Sequence, residues 1–176
     1  MTTWNIDSAH SEIGFKVRHL MITNVKGKFA DFSGSVMADD DTFNNGKINF
    51  SATVASITTG NAMRDGHLQS ADFFDATNFP TLTFASKSVV PTADDEFKVV
   101  GDLTMRGVTK EITLMAHFHG ISKDMHSERV AGFDLSGSIN RTDFGLLWNA
   151  AVETGGVTVS DEVKLEMEIE AKEMKQ

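Results

Sequence analysis

The chain has 176 residues and carries 16 Lys and Arg against 25 Asp and Glu, a formal net charge of −9. That length suits one domain, spanning 1–176, with a substantial core. The acidic balance repels phosphates, so nucleic acid is not an expected partner. The absence of cysteine removes disulfides, thiolate metal ligands and thiol nucleophiles together.

In chain order, Ile13, Phe15, Val17 and His19 alternate with Glu12, Gly14, Lys16 and Arg18, the period of a half-buried strand. From Val25 to Met37 the parity conflicts: Ala30, Phe32, Gly34 and Val36 oppose Phe29, which predicts a bulge or a strand buried on both sides. Asp39-Asp40-Asp41 and Asn44-Asn45-Gly46 read as a solvated turn. Ile48, Phe50, Ala52 and Val54 form another alternating strand. Residues 61–69 suit a short helix capped by Asn61 and weakened by Gly66. Asn78-Phe79-Pro80 is a turn, because proline cannot sit in a central strand.

Strand patterns resume over Thr81–Val90, with Pro91–Glu96 as an acidic turn, and again through Phe97, Val99, Gly101 and Leu103. After an Arg106-Gly107 turn, Val108–Phe118 is long, with Ile112, Leu114, Ala116 and Phe118 on one face. His119–Val130 is polar and reads as a loop. Phe133, Leu135, Gly137 and Ile139 alternate, and so do Val163, Leu165, Met167 and Ile169. About eight strands with one helical insert result, and the short connections favour antiparallel pairing. The expected fold is all-β. Closure into a single antiparallel barrel of about eight strands hides every edge, with a two-sheet sandwich as the competitor.

The opening Met-Thr-Thr-Trp-Asn-Ile-Asp lacks a basic stretch followed by an apolar run. No segment reaches the roughly 20 apolar residues of a spanning helix. The expectation is a cytoplasmic protein without a transmembrane segment. A chain already relieved of a leader would read the same and would be periplasmic or secreted. Thirteen phenylalanines and no tyrosine suit a greasy core or, equally, a greasy cavity.

The search for catalytic motifs returns no phosphate loop, dinucleotide fingerprint, His-Glu-x-x-His helix or nucleophile elbow. No catalytic residue and no metal site is expected. His117 and His119 share a strand face at a spacing that can serve zinc or nickel, but Glu111, Thr113 and Met115 mark that face as outward, which reads as surface. His19 sits at the end of an apolar face, either as a buried histidine with a protein partner or as a polar contact at a cavity mouth. Arg64 and His67 share one face of the helical insert and suit an anionic head group or plain surface charge. Arg141 and Asp143 share parity and read as a structural ion pair closing one barrel end. Asp72 is a further candidate partner or an Asx-turn residue, and Trp148 caps an end or lines a cavity. If the barrel is hollow, the candidate lining is Phe15, Val17, Phe50, Phe73, Phe84 and Leu114. Met63 and Trp148, with His19, Arg64 and His67, complete the candidate ligand contacts.

Asp7-Ser8-Ala9-His10-Ser11-Glu12-Ile13-Gly14-Phe15, continued by Val17-Arg18-His19 and Val25-Lys26-Gly27-Lys28-Phe29, resembles the opening of the YceI-like, polyisoprenoid-binding family. His67-Leu68-Gln69-Ser70-Ala71-Asp72-Phe73-Phe74-Asp75, Phe79-Pro80, Phe84-Ala85-Ser86, Gly101-Asp102-Leu103-Thr104 and Arg106-Gly107-Val108-Thr109-Lys110 resemble its middle. Ile139-Asn140-Arg141-Thr142-Asp143-Phe144-Gly145 and Asp161-Glu162-Val163 resemble its late motifs. The matches keep their order from residue 7 to about 170. Ser8 departs from the proline often found there, which alters a turn rather than a pocket.

The resemblance implies a lipocalin-like barrel elongated around an apolar cavity that binds, stores or transports a polyisoprenoid or similar long amphiphilic lipid. It implies a homodimer in many members and no catalytic triad. No cofactor is expected beyond a bound isoprenoid or fatty-acid-like lipid, and transient membrane contact is a further expectation. Each buried methylene contributes roughly 0.8 kcal/mol, so an isoprene unit contributes about 3 to 4 kcal/mol before ordering costs. Two other classes stay open at this point. One is an enzyme on an apolar or isoprenoid substrate using His19 with a carboxylate. The other is a structural or stress-linked interaction protein with a packed interior.

Overall fold

A computed structural model describes residues 1–151 and 156–175. Its strands are β1 (Thr2–Ile6), β2 (Glu12–His19), β3 (Thr23–Phe29), β4 (Phe32–Ala38), β5 (Lys47–Thr53), β6 (Ile57–Thr58), β7 (Thr81–Ala93), β8 (Glu96–Met105), β9 (Val108–Lys123), β10 (Arg129–Asn140) and β11 (Val159–Glu173). One helix, α1 (Ala62–Gln69), is inserted after β6 among the described residues.

All strand pairings are antiparallel. β1 and β2 follow one another along the same edge of β11, with Trp4 opposite Glu173 and Ile13 opposite Met167. β4 and β3 line up likewise against β1 and β2. β5 pairs with β4 and β7, and β7 through β11 continue in sequence order. Counting each interrupted ribbon once, eight strands close into a barrel. Closure removes the unpaired edges that an open sheet of this length would present.

The parity conflict after Val25 has a simple cause. Ala30-Asp31 breaks the ribbon, so Val25, Gly27 and Phe29 point inward before it and Phe32, Gly34 and Val36 after it. Asp31 is fastened across the break: its carbonyl accepts the Thr53 N–H at 2.9 Å, and its carboxylate accepts the Thr53 hydroxyl at 2.7 Å.

Three expectations need correction. The stretch 119–130 is mostly strand, with β9 running to Lys123 and only residues 124–128 turning. Phe118 faces Phe133 and Gly120 faces Gly132, so His119 is an extra, bulged residue that shifts the alternation. The bulge hid the strand's period. The turn assigned to Pro91–Glu96 shrinks to Asp94-Asp95, and β7 runs through Pro91. Proline is tolerated there because the β5 ladder on β7 ends at Ala85 and the last contact on that edge, the Asn45 N–H donating to the Val89 carbonyl at 3.2 Å, stops short of Pro91. Third, the acidic turn at 39–46 is not wholly solvated. Phe43, at φ +58, is 3% exposed and enters the barrel.

Asn61 caps α1 as its sequence predicts, its side-chain oxygen accepting the Arg64 N–H at 3.0 Å. No helix among the described residues is long and apolar enough to cross a membrane.

Candidate ligand cavity

The barrel is hollow. A cavity of about 220 Å³ runs along its interior, larger than the roughly 150 Å³ that holds benzene in a dry engineered site. Among the described residues that line it, only Arg141 carries a charge.

Two glycines help explain why so many phenylalanines leave space. The tip of the Phe15 ring rests on Gly27 of the neighbouring strand, where an added β-carbon would lie 2.4 Å from Cζ. The Phe84 ring rests on Gly101 in the same way, at 2.5 Å. Each ring covers bare backbone on the wall instead of reaching across the lumen, as cross-strand neighbours on one sheet face can.

At one end Phe43 forms an aromatic plug with Trp4, Phe118 and Phe133, with ring centroids 5.3, 5.2 and 5.0 Å away. Edge-on and tilted contacts of this kind are favourable for rings. The Arg129 guanidinium lies 5.3 Å over the Trp4 ring on the outer side of the plug.

The opposite end is built around Arg141. Asn140 caps a single 3₁₀ turn, Arg141–Phe144, by accepting the Thr142 N–H at 3.0 Å, and Gly145 ends it at φ +80. Arg141 is 3% exposed. Its Nη1 donates to the carbonyls of Leu146 at 2.7 Å and Trp148 at 2.9 Å, and its Nε donates to Ser160 at 2.9 Å. The expected ion pair with Asp143 does not form. The carboxylate beside Arg141 is that of Asp161, at 3.7 Å and itself exposed. Parity alone cannot resolve this, because the 3₁₀ turn ends the alternation at Asn140 and sends Asp143 elsewhere. Burial pushes the Arg141 guanidinium below its ordinary value, and Asp161 opposes the shift. Arginine retains its proton regardless, so a fixed positive charge stands at this end of an otherwise apolar lumen.

Phe15, Val17, Phe50, Phe73, Phe84 and Leu114 line the cavity. The other candidates stand outside the lining. His19 is half-buried at the end of β2, beyond Val17. Met63 is 86% exposed. Arg64 turns back on its own segment, its Nε donating to the Thr59 hydroxyl at 2.7 Å and its Nη2 to the Thr59 carbonyl at 2.8 Å. His67 and Trp148 pack one layer behind Phe73, with ring centroids 5.0 and 5.4 Å from it. His67 Nε2 lies 2.9 Å from Asp72 Oδ2, so Asp72 pairs with His67 and not, as a further partner, with Arg141. Sequence reasoning missed Phe43, hidden in an acidic loop, and it placed the helical contribution on Met63, Arg64 and His67 when Leu68 supplies it.

Two clusters offer metal-type ligands outside the cavity. His117 and His119 face outward on β9, paired with Glu96 at 2.7 Å and Asp134 at 2.8 Å. Asp7, His10 and Glu170 present ligand atoms within 4.8 Å of one another. There, however, the Lys172 ammonium already lies 2.9 Å from Asp7. The His10 and Lys172 hydrogen bonds hold the Asp7 carboxyl at about 2. This network fastens the interruption between β1 and β2 onto β11.

The YceI-like domain model matches residues 4–171. The chain belongs to this family. A UPF0312 protein of Staphylococcus aureus (strain MSSA476) is 42% identical over 171 residues, 97% of either chain. The crystal structure of the Campylobacter jejuni YceI protein is 37% identical, covers 96% of both chains and superposes with a TM-score of 0.75. A polyisoprenoid binding domain from Saccharophagus degradans shares the fold at 15% identity, with a TM-score of 0.71 over 96% of this chain and 97% of that one.

Proposed function

We propose that the protein binds the tail of a long-chain amphiphilic lipid, of the polyisoprenoid type, inside its barrel and stores or carries it without catalysing a reaction. The observation that carries this reading is the apolar lumen bounded by Phe43 at one end and Arg141 at the other. Burying a tail there contributes roughly 25 cal/mol per Å² of apolar surface, and the lumen has little polar surface to desolvate in return. The family relation and the polyisoprenoid-binding neighbour point the same way. The enzyme alternative loses its best raw material, because His19 does not line the cavity.

The lining is apolar apart from Arg141, so selection by chain length is soft: one methylene discriminates weakly. Arg141 favours an anionic or strongly dipolar head group nearby, although its hydrogen bonds to carbonyls already occupy most of its donors. Native mass spectrometry of protein purified from cells, before and after organic extraction, tests the reading. The expected result is an extractable amphiphile at near one per barrel. Empty protein that also takes up no added prenyl alcohol would refute it.

A further inference from the structure

Both ends of the barrel carry exposed apolar side chains, singly at the plugged end (Met1, Val90, Met125 and Met174) and clustered at the other. The plugged end carries the acidic turns Asp39–Asp41, Asp94–Glu96 and Asp124–Glu128. The opposite end carries exposed apolar side chains on three separate segments. Leu20, Met21 and Ile22 form the tip of the β2–β3 hairpin and are 40%, 59% and 74% exposed. The Leu20 N–H donates to the Thr158 carbonyl at 2.9 Å, which places the tip beside the exposed Val157. Leu147 follows Leu146 of the lining, and Met63 projects from the helix whose Leu68 lines the lumen.

The hairpin tip is also strained. The Ile22 N–H donates to the His19 carbonyl at 3.1 Å, closing a two-residue turn with Leu20 at φ +52 and Met21 at φ +61. A turn with two left-handed residues is the natural place for Asn-Gly, which adopts it freely. Leucine and methionine adopt it at a steric cost and remain 40% and 59% exposed. Strain and exposure at the same residues are accounted for together by an apolar contact outside the chain.

We propose that this rim, with the Leu20–Ile22 tip at its centre, is a docking surface for a lipid bilayer. Seated there, the end of the barrel away from the Phe43 plug exchanges its amphiphile with the membrane without passing it through water. The proposal rests on the lumen being a lipid site, and the rim's continuity with the lining names a bilayer as the occupant. The acidic turns stand at the far end, but Asp161 beside Arg141 and Asp65 and Asp72 on and after the helical insert belong to the docking end, so the contact rests on apolar side chains rather than on charge.

Flotation with phosphatidylcholine vesicles tests it, comparing the wild type with the triple variant L20N/M21G/I22T. The wild type is expected to float with the vesicles, and the variant to lose at least about tenfold in binding. Asn-Gly relieves the turn, so the variant's thermal midpoint is expected to equal or exceed that of the wild type. Should the triple variant fail to fold, Ile22→Asp, outside the left-handed pair, is expected to give the same loss. Equal flotation of wild type and variant, or no flotation of the wild type, would overturn the proposal. So would a wild-type dimer that dissociates in the variant without vesicle binding, because a second copy would then cover the rim. Uptake of a prenyl alcohol from solution, read by native mass spectrometry, is expected to be unchanged in the variant. Loss of uptake in both proteins with flotation of the wild type alone would sink the lumen reading and keep the docking surface.

Discussion

The tip of Phe15 rests on Gly27 so closely that a β-carbon there would lie 2.4 Å from Cζ. A phenylalanine that lines the lumen thus occupies the space a neighbouring side chain would need. Gly27→Ala pushes the ring into the lumen or the strands apart. Overpacking of this sort costs roughly 1 to 3 kcal/mol. The expected outcome is a lower urea midpoint together with less bound prenyl alcohol by native mass spectrometry. Gly27→Ala with wild-type uptake would show that the ring has another way to move.

Arg141 is held by backbone carbonyls more than by any carboxylate. Arg141→Met therefore leaves those carbonyls without donors in a buried place. An unsatisfied buried group costs about 1 to 3 kcal/mol, so the variant should be among the least stable single substitutions in urea unfolding. Asp143→Asn should stay within about 0.5 kcal/mol of the wild type. A large loss from Asp143→Asn would reinstate the ion pair that the 3₁₀ turn rules out.

Acid should weaken the fold through Asp7. Its carboxyl is held at about 2, below its ordinary 3.8, by hydrogen bonds from His10 and Lys172. A carboxyl lowered in the folded state stabilises above its unfolded value, and that contribution is lost as pH falls from about 4 through 2. The amount is on the order of 2 kcal/mol. His10 is raised by the same contact, so its share is present in acid and lost as pH rises through its folded value. Asp7→Asn should flatten the loss between pH 4 and 2 in unfolding curves. An unchanged slope would place the acid sensitivity elsewhere.

Phe43 closes one end of the lumen from an acidic loop. Phe43→Ala should cost about 3 to 5 kcal/mol and, by removing the plug, allow faster release of bound ligand in a dilution assay. Release at the wild-type rate would place the exit wholly at the Arg141 end.

Most of the barrel was legible in the sequence because an inward face repeats every second residue. Val163 to Ile169 against Lys164 to Glu170 needs no further information. The failures fall where that period is interrupted. Ala30-Asp31 flips the inward face between two strands, and the bulge at His119 made a strand look like a loop. Phe43 sits at a left-handed position among aspartates and asparagines, so nothing periodic marks it. For the cavity, strand residues such as Phe15 and Phe84 could be named from parity. Whether they met one another or left room depended on glycines on neighbouring strands, a pairing register that the sequence does not state. The helical contacts were misplaced because a search for polar head-group ligands favours Arg64 and His67 over Leu68.

The central claim is that the phenylalanine-rich lumen stays open and takes an apolar tail. Diffraction from crystals grown with a long prenyl alcohol tests it most directly. The account predicts continuous ligand density along the barrel axis between Phe43 and Arg141, with Phe15 and Phe84 still lying on Gly27 and Gly101. Side chains meeting across the axis, with the alcohol absent or bound only outside the barrel, would contradict it.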